Sequence, residues 1–252
     1  MEGRWKEILM IVIDGMLGVY LILAITAWNK PEDDSQVCNE VNIQVEEGSV
    51  KGFLTANDIK LQLQRAKLYP LGDNMDRVKS RQIEEALNQN PFVKSAQCYK
   101  TQTGHINISV VQRLPVMRIK ANNGDDYYID EFGNIMPNSH FVSNLVVATG
   151  NIQKKYAQKV LTKIGQKLLT HDLWNYQVEQ LNILDDGTVE LVPRVGDHIV
   201  YLGNPTHIDQ KLNRLEKFYR YGLSKAGWNK YSYISLEFDN QIICTKRKIV
   251  HS

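Results

Sequence analysis

The sequence predicts an α+β protein in three parts: a single N-terminal transmembrane helix, a small domain of strand-helix-helix-strand-strand order, and a mixed, mostly antiparallel β domain with flanking helices. Three observations lead there. Residues 8–28 form an apolar run of bilayer length, residues 40–119 pass from alternating to helical spacing and back, and residues 120–252 set alternating strands between Gly and Asn turns. The 252 residues are 43% hydrophobic and 23% charged, a composition that excludes wholesale disorder. Thirty basic residues against 28 acidic ones leave a formal net charge of +2, so no global field selects nucleic acid or a strongly charged substrate. Cys38, Cys98 and Cys244 are far apart and lack paired spacing, which argues against a disulfide framework and a cysteine metal site.

Ile8 to Trp28 reads ILMIVIDGMLGVYLILAITAW, interrupted only by Asp14. At a rise of ~1.5 Å per residue it covers roughly 30 Å, the thickness of a hydrocarbon core, and Trp5 and Trp28 stand where interfacial aromatics belong. Arg4 and Lys6 precede it, while Lys30 is outweighed by Glu32, Asp33 and Asp34 after it. The positive-inside bias therefore predicts a cytoplasmic tail at 1–7 and everything after Trp28 outside. A cleaved signal peptide is the other reading, but the stretch before Trp28 is long for one and lacks a small-x-small site. Asp14, with Gly18 one turn on, either packs against a second membrane helix or lies close enough to the interface to stay hydrated.

Residues 29–39 are polar and acidic around Pro31 and read as a linker. Val41 to Val45 alternates as a half-buried strand does. Thr55 and Asp58 form a capping-box pair that opens a helix with Ile59, Leu61, Leu63 and Leu68 as apolar surface. A second helix spans Lys79 to Asn90 and stops at Pro91. Strands at Phe92 to Lys100 and His105 to Gln112 follow, turning at Thr103-Gly104. Helices on one face of a three-stranded sheet complete a small domain over 40–119.

The domain over 120–252 begins with strands at Tyr127 to Asp130 and Asn144 to Ala148. A helix over Ile152 to Leu169 turns Ala157, Val160, Leu161, Ile164 and Leu168 inward. Its row of lysines, Lys154, Lys155, Lys159, Lys163 and Lys167, reads as a solvated face, with no aromatic interleaving to suggest nucleic acid. Strands follow at Val178 to Leu184, Val189 to Pro193 and Ile199 to Leu202, with a hairpin turn at Asp185-Asp186-Gly187. Thr206 and Asp209 suggest a second capping box for a helix to about Tyr221. The last strands, Tyr231 to Phe238 and Gln241 to Thr245, turn at Asp239-Asn240.

No motif carries catalysis: phosphate-cradling GxxxxGK, GxGxxG, GxSxG and HExxH are all missing from the sequence, and adjacent Ser139 and His140 point different ways. The sequence accordingly predicts no enzyme and no cofactor. Asn107-Ile108-Ser109 matches a glycosylation sequon inside a predicted strand and is set aside.

Several stretches resemble the FtsQ/DivIB bacterial cell-division proteins. NPFVKSA (Asn90 to Ala96) is similar to the helix-to-strand step of a POTRA-like domain, and VVQRLPVMRI (Val110 to Ile119) to the family's domain junction. YYIDEFGNIMP (Tyr127 to Pro137) and YSYISLEFDNQIIC (Tyr231 to Cys244) are similar to its aromatic hairpin and its closing hairpin. Gln112, Ser235, Glu237, Asp185 and Asp186 depart from the charges frequent at the matching places, which leaves the partner's charge open. The resemblance implies a POTRA-like βααββ domain at 40–119 and an FtsQ-type β domain at 120–252. It also implies a non-enzymatic scaffold of the divisome at the septum, in the inner membrane, with its bulk extracytoplasmic. Its implied partners are FtsB/DivIC-like and FtsL-like bitopic division proteins, with septal peptidoglycan synthases as a further possibility. Strand addition at the chain's last hairpin suits such partners. It points to Tyr233, Glu237, Phe238, Ile242 and Cys244 as partner-binding residues, with Asp186 and Arg220 alongside; simple core packing is the other reading for Ile242 and Cys244. A membrane-anchored envelope enzyme and another POTRA-type assembly factor remain the alternatives.

Overall fold

The computed structural model describes residues 2–28, 36–46, 54–139 and 145–247. Glu2–Trp28 forms one helix, α1, and there the expected fold class is corrected. Among the described residues no helix is long and apolar enough to cross a membrane, so the predicted transmembrane helix is overturned. Asp14 interrupts the apolar run; a carboxylate costs roughly 2.5–3.5 kcal/mol at the helix centre on insertion scales, and Asp14 stands one turn from it. Asp14 is exposed and Gly18 half-buried, and nothing described lies within 4 Å of where a side chain at Gly18 would begin. Most of the expected linker, His140, Asn144 and Lys248 lie outside the described residues.

The first domain contains β1 (Glu40–Glu46), α2 (Ala56–Arg65), α3 (Ser80–Asn88), β2 (Val93–Lys100) and β3 (His105–Gln112). Its sheet runs β1-β3-β2, with β3 parallel to β1 and antiparallel to β2. The capping box forms as its spacing suggests: Asp58 N–H donates to the Thr55 side chain, and Thr55 N–H to the Asp58 carboxylate at 2.9 Å. Spacing of four brings Ile59 and Leu63 of α2, and Ile83 and Leu87 of α3, onto one side, where they bury against Ile106, Ile108 and Val110 of β3. Each such side chain contributes about 1.5–3 kcal/mol by leaving water. Cys38 and Cys98 sit in this core as free thiols. Main-chain bonds from Cys38 N–H to Asp73 O and from Met75 N–H to Gln36 O, both 2.8 Å, tie residues 36–38 to the loop after α2.

The second domain begins with β4 (Pro115–Ala121), β5 (Asp126–Asp130), β6 (Ile135–Pro137) and β7 (Val147–Gly150). Next come α4 (Lys154–Tyr156), a π-helical turn at Ala157–Leu161, α5 (Thr162–Thr170), α6 (Asp172–Gln177), β8 (Val178–Ile183), β9 (Val189–Pro193) and β10 (Ile199–Gly203). The chain closes with α7 (Ile208–Phe218), a second π-helical turn at Tyr219–Leu223, α8 (Ser224–Ala226), β11 (Tyr231–Ser235) and β12 (Ile243–Lys246). Nine strands make one mixed sheet in the order β12-β11-β10-β9-β8-β7-β4-β5-β6, parallel at β4/β7, β7/β8 and β10/β11. Helix residues Leu161, Ile164, Leu168, Leu212 and Leu215 bury against Ile119, Ala148, Leu181, Leu191, Val200 and Ile234, covering one face of it. Gly150 is required where β7 meets β8: its φ is +105°, and a Cβ there would stand 2.0 Å from the Ile183 carbonyl oxygen. The second capping box does not form. His207, at φ 54°, precedes α7 without a side-chain cap bond, and Asp209 pairs with Lys167 instead.

Between the sheets, Arg113 donates to the Asp130 carboxylate at 2.7 Å and to Val93 O at 3.1 Å. Asp130 is fully buried and also accepts from the main chain of Phe132 and Asn134 and from the Asn134 amide. Burial opposes its charge, but Arg113 and then these donors hold its carboxyl below the usual carboxylate range. Lys94 pairs with Glu131 at 2.9 Å across the same junction. Gln112 accepts from Leu54 N–H at 3.1 Å, so the amide found there serves the first domain's interior.

Candidate functional site: the closing edge and the open sheet faces

β12 is the outermost strand of the nine, pairing with β11 on one side only. Alternation separates its side chains. Ile242, just before it, and Cys244 turn back onto the core, and burial pushes the Cys244 thiol up. Ile243 is 47% exposed, and Thr245 and Lys246 are exposed beside it. The edge therefore offers main chain flanked by accessible side chains while Ile242 and Cys244 hold it to the sheet.

The open face of this sheet, opposite the helices, carries a continuous polar ladder. Gln180 donates to the Thr149 hydroxyl at 2.8 Å, Thr149 to the Asn182 carbonyl at 3.4 Å, and the Asn182 amide to Glu190 at 3.1 Å. The Tyr233 hydroxyl reaches the other Glu190 oxygen at 3.3 Å, and its ring stacks on Tyr201 at 6.1 Å. Burial, the Glu190 charge and this bond push the Tyr233 phenol up to about 12. Tyr233 thus ends the ladder one strand in from the free edge.

The registers carry the β8–β9 turn, the C-terminal ends of β10 and β11 and the start of β12 to one end of the sheet. Asp186, Glu237, Phe238 and Ile242 gather there. Asp186 is exposed and spends one carboxylate oxygen on the main chain and hydroxyl of Thr188, at 2.9 and 2.6 Å, which lowers its pKa. Glu237 and Phe238 are exposed at the hairpin tip. Beneath them the buried Lys211 ammonium donates to Leu202 O and Asn204 O at 2.7 and 2.8 Å, and Arg214 to Leu236 O at 3.0 Å, fixing the ends of β10 and β11. Arg220 is not in this group: it follows α7, paired with Glu216 at 2.6 Å, toward the opposite end of the sheet. Glu190 and Tyr201 escaped the sequence reading; the polar positions alternating along β8 to β10 were the available signal.

A pocket that clusters a histidine and an acid with shifted pKa values would favour the enzyme alternative; His105 meets Glu40 and His171 meets Glu216, each at 3.7 Å, as part-exposed surface pairs. His198 is 2% exposed and shares a 2.7 Å hydrogen bond with Tyr219 within an aromatic cluster of Trp174, Tyr219 and Trp228. Burial and then the nearby Arg247 charge lower its pKa. This histidine is packed into the interior.

A small βααββ domain joined to a broad mixed sheet that ends in a singly paired strand defines a two-domain α+β protein. Comparison with known families gives the particular kind. A POTRA-like domain model matches residues 36–111, and the model described as FtsQ/DivIB, C-terminal related, matches residues 114–245, more than half of the chain. The chain belongs to the FtsQ/DivIB family and carries a POTRA-like domain. That family implies a non-enzymatic, membrane-associated scaffold role in cell division. No curated protein matches the chain.

Proposed function

We infer that this chain serves the bacterial division machinery at the septum by capturing small bitopic coiled-coil proteins, FtsB/DivIC-like and FtsL-like, through strand addition at β12, and so helps control septal peptidoglycan synthesis. The observation that carries the reading is the position of β12: it is the outer strand of a nine-stranded sheet, pairs on one side only and exposes Ile243, Thr245 and Lys246. An incoming strand takes up the free main-chain groups, and alternate side chains select it. Tyr233, Glu237, Phe238 and Asp186 supply the flanking contacts, while Ile242 and Cys244 keep the edge seated on the core. Exposed Glu237 and Asp186 favour a basic partner segment at the hairpin end of the edge.

The test replaces Lys246 by proline: the N–H of the next residue, Arg247, donates to Lys230 O on the β11 side, so by alternation the Lys246 N–H points to the free edge, and proline removes it there. Pull-down of FtsB/DivIC-like proteins by the full chain is expected to be lost in Lys246→Pro and kept in Thr170→Ala, at the exposed end of α5. Circular dichroism must show both variants folded. A folded Lys246→Pro chain that still binds would remove strand addition from the account.

A further inference from the structure

The first domain also has an open face, on the side of its sheet away from α2 and α3. Register places Asn42 beside Asn107 and Asn107 beside Tyr99, with Gln44, Ser109 and Gln97 forming the next row. These side chains alternate with Ile43, Ile106, Ile108 and Cys98, which pack in the core. Asn42, Gln44, Tyr99, Asn107 and Ser109 line a shallow depression of roughly 350 Å³, with the main chain at Ile43 and Ile108 as its floor.

Two properties set this face apart. No side chain lining the depression carries a formal charge; charges stand at its margins, where Glu46 accepts from Ser109 at 3.5 Å, Glu40 meets His105 at 3.7 Å and Lys100 bonds to the Met75 carbonyl. Further, the side chains of Asn42, Gln44, Gln97, Tyr99 and Asn107 make no hydrogen bond among the described residues, and only that of Ser109 is engaged, to Glu46 at 3.5 Å. Four carboxamides and a phenol thus present free donors and acceptors side by side, around a Tyr99 ring that is 57% exposed.

This chemistry selects its ligand. An anion finds no basic group in the lining, a cation meets only the carboxylates of Glu40 and Glu46 at the rim, and an apolar group would strand the amides. A sugar fits both parts: each hydroxyl donates and accepts, as a carboxamide does, and the C–H face of a pyranose ring lies against an aromatic ring. The volume is at the low end of the ~300–1,000 Å³ usual for small-ligand sites. We propose that the open face of the first domain's sheet is a binding site for an uncharged oligosaccharide, with Tyr99 as the stacking platform and Asn42, Gln44 and Asn107 as its hydrogen-bonding partners. Acetamido sugars suit it best, since their amides pair with the protein's carboxamides.

The test titrates the ¹⁵N-labelled full chain with chitotetraose, an uncharged acetamido-sugar tetramer, while the side-chain NH₂ signals of Asn42, Gln44, Gln97 and Asn107 are followed by nuclear magnetic resonance. The expected result is a saturable shift of these signals with a dissociation constant on the order of 1 mM. Tyr99→Ala, at an exposed position, is expected to weaken binding at least about tenfold with the remaining main-chain spectrum unchanged, and Gln180→Ala on the second domain's face to leave it unaltered. No shift up to about 10 mM ligand overturns the proposal, as do shifts indifferent to Tyr99→Ala or confined to the main chain of β1. Tighter binding of a sulfated oligosaccharide at the same signals overturns it as well.

Discussion

The two open sheet faces use the same residue types to opposite ends. On the second domain, Gln180, Thr149, Asn182, Glu190 and Tyr233 satisfy one another across four strands. On the first, Asn42, Gln44, Gln97, Tyr99 and Asn107 stand without partners among the described residues. Amides and hydroxyls on a strand surface are thus not one category. A closed ladder stiffens the sheet beneath it and offers little to a ligand, because each new bond must displace an old one. An open row loses only water when a ligand arrives. The ladder also runs toward the outer edge at β12 and holds Tyr233 in place beside it. One face supports an edge, and the other is free to bind for itself.

The largest expected disruption is at the junction between the two sheets that present these faces. Asp130→Ala leaves Arg113 and the donors of Phe132 and Asn134 without their acceptor, and is expected to cost about 3–5 kcal/mol in chemical denaturation. A loss below ~1 kcal/mol would show that the junction is not held by this carboxylate.

On the covered side of the second sheet a buried histidine is expected to couple stability to acid. His198 has its folded pKa depressed by burial, with Tyr219, Arg247 and Asp197 facing it. The fold holds the neutral ring, so its contribution is complete above the ordinary histidine pKa of about 6.5 and is lost as pH falls from there toward the depressed value, at up to ~1.4 kcal/mol per unit of depression. Melting temperature is expected to drop between pH 7.5 and 5.5 (roughly one unit either side of that ordinary value), and the drop to shrink in His198→Gln. Equal drops in both proteins would assign the acid response elsewhere.

The smallest effect bears most directly on the comparison. A double-mutant cycle on Glu190→Ala and Tyr233→Phe is expected to give a coupling of about 0.5–1.5 kcal/mol. The matching cycle on Asn107→Ala and Tyr99→Phe should give none beyond the ~0.3–0.5 kcal/mol of ordinary additivity. Coupling of similar size in both would erase the distinction between the faces.

Local rules made much of this molecule legible. The Thr55–Asp58 box, the Gly104 and Gly187 turns and the alternation along β3 follow from neighbours in sequence, and each is present. Long-range order is not written that way. Nothing near β7 announces that it lies between β4 and β8, and the Val110 to Ile119 stretch divides into β3 and β4 in separate sheets. Thr206 and Asp209 have capping-box spacing, yet Asp209 is drawn to Lys167, which is 42 residues away. The Tyr233–Glu190 contact likewise joins residues 43 apart, so alternation could place each on a surface but not bring them together. Of the residues expected at the partner edge, those beside β12 and the β8–β9 turn converge, whereas Arg220 follows α7 to the far end of the sheet.

Strand order has one more consequence. β12 and the β5–β6 hairpin occupy opposite margins of the sheet, separated by eight strand-to-strand steps. At ~4.8 Å per step the two margins are up to about 38 Å apart, and the first domain is bonded near the β5–β6 margin. A strand added at β12 extends the sheet away from that domain. The proposed occupants of the edge and of the first domain are therefore expected not to exclude one another, and saturation with one to leave the affinity for the other unchanged, as for a spacer that holds two molecules apart.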